Sequence, residues 1–174
     1  ITLEQEGFLR LEPASGLYAL DTAVIRLAST ALAGSSLVKL AGPVLDDLRG
    51  HLNEAVQLSL RRGGDVIILD NRQSAHLVKT FHSIGHQYAA YRGSAAGKVL
   101  LAWLSEEAVT GLLPPAGNWA ANTERTITDL EGYLVALAET RARGYAVNDG
   151  ETERGVWSVA APLRDHQGIV QGAL

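Results

Sequence analysis

Residues 93–98, Gly-Ser-Ala-Ala-Gly-Lys, form the segment of this sequence most suggestive of ligand chemistry, because they end in Gly-Lys as phosphate-binding loops do. Such a loop requires four residues between its glycines and a hydroxyl after the lysine. Here only three residues separate Gly93 from Gly97, and Val99 follows Lys98, so a nucleotide site is not expected. The small residues instead predict a helix amino end that approaches another group closely. An anion suits that position, because free N–H groups and the helix dipole point at it.

Two further groups of residues carry weaker chemical signals. His82 and His86 are four residues apart, as helical zinc ligands often are, but Gly85 argues against a helix there. Without cysteines or a His-Glu-x-x-His motif, we expect solvated loop histidines, no metal and no cofactor. Asp149, Glu151 and Glu153 could serve acid–base chemistry, although a run of charges more often marks a solvated turn.

Hydrophobic periodicity predicts the elements that must position these residues. Val78 and Phe81 are possible strand residues in a segment of weak periodicity. Asp21, Ser36 and either Thr126 or Thr128 are the predicted helix caps. Helices are predicted over 22–33, 36–52 and 94–104, with a short one after Ser105 and a long one that follows Thr126 or Thr128 and ends at residue 143. Strands are predicted over 8–11, 17–20, 55–61, 66–69, 145–147, 156–163 and 169–174.

Tight turns join the neighbouring predicted strands, which favours antiparallel pairing. The predicted fold class is therefore α+β, an antiparallel sheet with helices packed on it.

Composition narrows the function classes. The chain has 174 residues and a formal net charge of −4, which argues against a free-standing nucleic-acid binder. It contains no catalytic cysteine and no Gly-x-Ser-x-Gly motif, so no enzyme signature is evident. No long apolar run or signal-peptide pattern occurs, so we expect a cytoplasmic protein without membrane attachment. The lack of any methionine and the apolar strand pattern at the end predict a fragment of a longer protein.

The sequence resembles the effector-binding domain of the IclR-type (isocitrate lyase regulator) bacterial transcription regulators. The most specific stretch is 94–102, and at Asp21 the chain departs from the family, which normally has glycine after the leucine. Four stretches carry the resemblance: GFLRLEPASGLYAL (7–20), LNEAVQL (52–58), SAAGKVLLA (94–102) and RGYAVNDGETERGVWSVAAP (143–162).

This resemblance implies a GAF-like fold and a division of the chain into three parts. Residues 1–20 would be the wing of a winged helix-turn-helix domain, 21–34 a linker helix, and 35–174 a GAF-like effector-binding domain truncated at its C-terminus. The DNA-reading helix would then precede this chain, which fits the acidic net charge. Operator DNA would be a partner through that absent segment, and the protein would form a homodimer or homotetramer.

The resemblance also implies a pocket for a small organic or aromatic carboxylate. Ser94, Ala95 and Ala96 would donate backbone N–H groups to it. Asn148 stands where the family often has aspartate, and Ser158 where it often has cysteine; both keep hydrogen-bonding capacity. Arg92 replaces a frequent histidine and offers a planar fork to a carboxylate, unless it faces solvent or a partner domain. Phe81 and Val78 would form an apolar wall.

The interpretation favoured at this point is a ligand-sensing domain of a DNA-binding regulator, without catalysis, whose effector modulates promoter binding. Two alternatives stay open. One is a small enzyme acting on a carboxylate substrate, with Asp149 or Glu151 as base. The other is a structural dimerisation domain with a collapsed pocket.

Overall fold

A computed structural model describes residues 2–77, 79, 82–115 and 119–174. Helices and antiparallel strands are mixed along the chain, which confirms the predicted α+β class. The elements are α1 (Thr2–Gln5), β1 (Leu9–Leu11), β2 (Tyr18–Leu20), α2 (Thr22–Gly34), α3 (Ser36–Leu52), β3 (Val56–Arg62), β4 (Asp65–Arg72), β5 (Gln87–Ala89), α4 (Ala95–Ala102), α5 (Glu106–Leu112), α6 (Leu130–Arg143), β6 (Ala146–Asp149), β7 (Trp157–Ala160), β8 (Pro162–Arg164) and β9 (Val170–Ala173).

The chain divides into two compact units, one ending at Pro43 and the other beginning at Val44. In the first unit, β1 and β2 form the predicted hairpin, with Gly16 in the left-handed region at φ +69°. The predicted Asp21 cap of α2 is confirmed, because its Oδ1 accepts the Thr22 N–H at 2.7 Å. The assignment of 1–20, 21–34 and 35–174 to three functional parts stays a prediction.

The predicted helix over 36–52 is confirmed as α3, which contains Pro43; a kink at this proline stays a prediction. The predicted cap of α3 is wrong by one residue. The Ser35 hydroxyl, and not that of Ser36, accepts the Val38 N–H at 3.3 Å. Serine fits both positions by type, and only the backbone geometry decides which one precedes the helix.

In the second unit, five antiparallel strands lie in the order β5-β4-β3-β9-β8, and β6 pairs with β7 in a separate two-stranded sheet. The predicted single strand over 156–163 is wrong, because it breaks at Ala161 into β7 and β8, which belong to different sheets. Ala161 instead exchanges two backbone hydrogen bonds with Leu174, of 2.8 and 3.0 Å.

Helix α4 lies at the centre of the core of this unit and packs against α6, β6, β7 and β9. All its residues except Ala96 are buried. Gly97 allows this close packing, since a Cβ there would lie 2.2 Å from the Ala90 carbonyl oxygen. That same oxygen accepts a hydrogen bond from the Tyr133 hydroxyl at 2.9 Å, which ties α6 to the segment between β5 and α4.

Helix α6 begins at Leu130, capped by Asp129, whose Oδ1 accepts the Gly132 N–H at 2.8 Å. The predicted caps Thr126 and Thr128 are therefore wrong. Thr126 lies in the preceding loop, where its hydroxyl donates to the Glu151 carbonyl oxygen at 2.6 Å. At the other end, Gly144 closes the helix at φ +80°, as predicted.

Within the described part of the chain, no single helix is long and apolar enough to cross a membrane; α2 and α3 meet the length and composition criteria only as a pair bent by 79°.

We expect Gly97→Ala to lower the free energy of unfolding by about 1–3 kcal/mol or more, because the new methyl group meets a backbone oxygen that cannot move aside. Gly111→Ala on α5 is the matched control. No atom lies within 4 Å of its added Cβ, and alanine favours helix, so this variant gains up to about 1 kcal/mol. Urea unfolding of the two variants measures both effects, and equal stability would contradict the close packing of α4.

Candidate functional site

The amino end of α4 is the part of the candidate site that sequence analysis located best. The predicted helix start near Ser94 is confirmed, with Ser94 as the N-cap, whose Oγ accepts the Gly97 N–H at 2.9 Å. Among the described residues, none accepts a hydrogen bond from the N–H of Ala95 or Ala96. The start of α4 therefore carries unpaired donors at the positive end of the helix dipole.

A buried ion pair lies beside this helix start. The Lys98 ammonium donates to Glu151 Oε1 at 2.5 Å and to the Val147 carbonyl oxygen at 2.9 Å. The two side chains are only 6% and 10% exposed. The pair joins α4 to the turn that follows β6, and each charge makes burial of the other tolerable.

The interpretation of 149–153 as a solvated acidic turn is therefore wrong for Glu151. Glu153 is exposed, and Asp149 forms a partly exposed ion pair with Arg125, as that interpretation requires. The available sequence signal was Lys98 itself, a lone cation in an otherwise apolar helix. A lysine is rarely buried without a partner, so its position called for a buried carboxylate.

Glu151 is held in place by its other polar groups as well. Its N–H donates to Asn148 Oδ1 at 2.8 Å, and its carbonyl oxygen accepts from Thr126. Its second carboxylate oxygen, Oε2, is buried and has no hydrogen-bond partner among the described residues. This oxygen faces Gly93, where a Cβ would lie 3.0 Å from Oε2 and 2.7 Å from the Glu151 Cβ.

Asn148 and Ser158 lie directly opposite each other in the register of β6 and β7. Asn148 is buried, and its amide holds the turn together: Oδ1 accepts the Glu151 N–H, and Nδ2 donates to Thr152 Oγ1 at 2.8 Å. Ser158 is exposed. Asn148 is therefore connected to the segment before α4 through Glu151. Ser158 lies beside Asn148 on β7.

The other predicted site residues are less closely connected to this region. Arg92 is exposed, and its guanidinium donates to Asn122 Oδ1 at 2.5 Å. Val78 and Phe81 lie outside the described residues. The structure thus places Asn148 in contact with Glu151, which packs against Gly93 directly before the Ser94 cap, and gives Arg92 a different partner.

Two tyrosines lie in this region, the buried Tyr133 near Glu151 and the partly buried Tyr88 near Ser94. Burial raises the pKa of Tyr133 well above its ordinary value, and the Glu151 charge raises it further. Burial likewise raises the pKa of Tyr88. Both phenols therefore stay protonated at neutral pH and leave Lys98 as the ion-pair partner of Glu151.

The two predicted loop histidines lie near each other, with ring centroids 5.3 Å apart. Partial burial lowers the pKa of His82, and the neighbouring His86 lowers it further. The described residues contain no group of three or more histidine, aspartate or glutamate side chains arranged to hold a metal ion.

Open space near the site lies along α6. Two clefts there have volumes of about 480 and 390 Å³, and the smaller one reaches Lys98 and Glu151. Neither cleft is lined by the predicted effector residues Ser94, Ala95, Ala96, Asn148, Ser158 and Arg92. The two clefts therefore lie beside the Lys98–Glu151 pair and α6 and do not include the amino end of α4.

Breaking the buried ion pair tests its role in holding the site. We expect Lys98→Met to lower the free energy of unfolding by about 3–5 kcal/mol, because the Glu151 carboxylate stays buried without its cation. The control, Arg154→Met, removes a cation from the exposed Arg154–Glu124 pair, where solvent screening leaves an effect too small to resolve. If both variants unfold at the same urea concentration, the ion pair does not hold this region.

Comparisons with known proteins show which family this chain resembles in sequence. The family described as "Bacterial transcriptional regulator IclR C-terminal" matches residues 29–174. The chain is 28% identical over 173 residues to the HTH-type transcriptional regulator KdgR of Escherichia coli K12, covering 99% of this chain and 65% of KdgR. It is 33% identical over 166 residues to the transcriptional repressor IclR of the same organism, covering 94% of this chain and 60% of that protein. The chain thus spans less than two thirds of the length of either relative.

Solved structures show the same fold. An IclR transcriptional regulator from Alicyclobacillus acidocaldarius matches with a TM-score of 0.83 at 31% identity, covering 99% of this chain and 68% of that one. The C-terminal domain of Escherichia coli KdgR matches with a TM-score of 0.71 at 28% identity, covering 80% of this chain and 79% of that one. The resemblance seen in the sequence is confirmed, and the chain belongs to the family of IclR C-terminal domains, the regulatory domains of bacterial transcriptional regulators.

Proposed function

We propose that this chain senses a small organic or aromatic carboxylate and thereby modulates promoter binding by a larger DNA-binding protein. Membership of the IclR family supports the regulatory role, since the relatives compared above are described as a transcriptional regulator and a transcriptional repressor. The net charge of −4 places operator binding in a segment other than this chain. The protein works in the cytoplasm, without catalysis.

The observation that carries this proposal is the amino end of α4. Ala95 and Ala96 present N–H groups that no described residue accepts, and Ser94 fixes the helix start. A carboxylate accepts such hydrogen bonds and is favoured by the helix dipole. Asn148 and Ser158 contribute neutral polar groups, and Arg92 is a further partner if it releases Asn122.

Glu151 does not prevent an anion from binding there, because Lys98 balances its charge. We expect an effector there to displace part of the 148–152 turn, because Glu151 packs against Gly93, directly before the Ser94 cap. Binding is therefore coupled to a rearrangement around the ion pair, and an effector that prefers the rearranged state shifts the protein toward it. Through this coupling, ligand binding changes the structure outside the pocket.

The enzyme alternative is less well supported by the geometry. Glu151 is tied to Lys98 and Asp149 to Arg125, so neither carboxylate is a free base. A thermal-shift screen of organic acids, followed by a turnover assay on each stabilising compound, separates the alternatives. Stabilisation without turnover supports the sensor, turnover supports the enzyme, and no response supports a structural domain.

Removing one N–H donor tests the carboxylate site. Ala95→Pro deletes the N–H at the first position of α4, where proline is well tolerated and Ser94 already has extended backbone angles. We expect a stabilising acid from the screen to bind about 10–100-fold more weakly, the worth of a charge-assisted hydrogen bond. Calorimetric titration measures the change.

The matched control is Glu106→Pro, at the first position of α5, which follows a serine cap of similar geometry. Effector affinity should stay unchanged in this variant. A carboxylate that binds both proline variants as tightly as the unaltered protein does not bind at the start of α4.

Self-association is expected to involve α2, where Ile25 and Leu27 are 66% and 58% exposed. Leu27→Glu should weaken a homodimer or homotetramer, because a charge then replaces apolar surface in the interface. Ser29→Glu, which adds the same charge at an exposed polar position of α2, is the control. Sedimentation velocity distinguishes the two; identical association in both variants would exclude Leu27 from the interface.

A further inference from the structure

All polar atoms of Glu151 except one form hydrogen bonds with described residues. Its N–H is bonded to Asn148, its carbonyl oxygen to Thr126 and its Oε1 to Lys98. Oε2 is buried and has no partner among the described residues. A buried carboxylate oxygen without a hydrogen bond is costly, so this atom requires a donor from outside the described residues.

The position of this oxygen ties it to the proposed carboxylate site. Oε2 lies over Gly93, which directly precedes the Ser94 cap, and a Cβ at Gly93 would come within 3.0 Å of it. Gly93 has φ +84°, so glycine is favoured there for its backbone and for its missing side chain. Nearby, the Tyr133 hydroxyl already donates to the Ala90 carbonyl oxygen, so it is not free to serve Oε2.

We propose that Glu151 Oε2 accepts a hydrogen bond from a hydroxyl group of the effector, so that the effector class is the hydroxy acids. This rests on the proposed carboxylate site at the start of α4. Because Oε2 lies over Gly93, directly before the Ser94 cap, the simplest such ligand carries its hydroxyl next to the carboxylate, as a 2-hydroxy acid does. An ammonium group suits the place less well, since the Lys98 ammonium and the positive end of α4 already face it.

Three small acids of similar size provide the test on the unaltered chain. Lactate carries a 2-hydroxyl that donates, pyruvate has a 2-oxo group that only accepts, and propionate has neither. We expect lactate to bind at least about tenfold more tightly than pyruvate, because two acceptors facing each other leave Oε2 unsatisfied. Propionate should also bind more weakly than lactate. Titrations followed by the backbone amide signals of residues 93–97 measure affinity and location together.

Glu151→Gln reverses the hydrogen-bonding character of the site with little change in size. The amide oxygen can still accept from Lys98, while the NH₂ group takes the place of Oε2 and donates. The preference for lactate over pyruvate should therefore fall below about twofold or invert. Glu153→Gln makes the same chemical change at an exposed position two residues away, and its preference should match that of the unaltered chain.

The outcomes separate this inference from the proposed function. Equal binding of all three acids at residues 93–97 would overturn the hydroxy-acid inference and leave the carboxylate site standing. If no acid shifts those amides, both are wrong. Tighter binding of alanine than of lactate would show that Oε2 takes an ammonium, which also overturns the inference. The comparison of acids on the unaltered chain tests the hydroxy-acid inference even if Glu151→Gln does not fold.

Discussion

The buried ion pair between Lys98 and Glu151 is the interaction on which the second compact unit depends most. It joins the central helix α4 to the turn after β6, and the same ammonium holds the Val147 carbonyl oxygen. A loop residue, Thr126, extends the connection by donating to Glu151. Buried ion pairs stabilise little relative to apolar packing, but losing one partner is costly. The pair therefore favours one arrangement of helix, strand and loop over the alternatives.

This arrangement places the proposed site where a local event affects several elements at once. The proposed site adjoins a turn whose backbone is held by Asn148 and Thr126 and whose Glu151 side chain is held by Lys98. Movement of that turn alters the packing of α4 against β6, and α4 also packs against α6. If a ligand favours a second arrangement of this turn, its effect extends beyond the pocket through these contacts.

Much of the fold could be predicted from local sequence patterns, since the hairpins and the apolar helices have the expected periodicity. The errors occur where a tertiary partner decides. Thr126 has the right chemistry for a helix cap, yet its hydroxyl serves Glu151 instead. Glu151 lies in an acidic run typical of solvated turns, yet Lys98 draws it into the core. The break at Ala161 depends on pairing with Leu174, which no local pattern encodes.

The candidate site combines two kinds of recognition that differ in what they select. The unpaired N–H groups at the start of α4 are generic, because any carboxylate of suitable size accepts from them. A buried acceptor such as Glu151 Oε2 is selective, because a ligand without a donor leaves it unsatisfied. Polar groups of this type discriminate between similar ligands far more strongly than a missing methylene does in an apolar pocket. A sensor of the proposed kind must respond to one acid among many, so the proposal assigns its specificity to Glu151 and its affinity to the helix end.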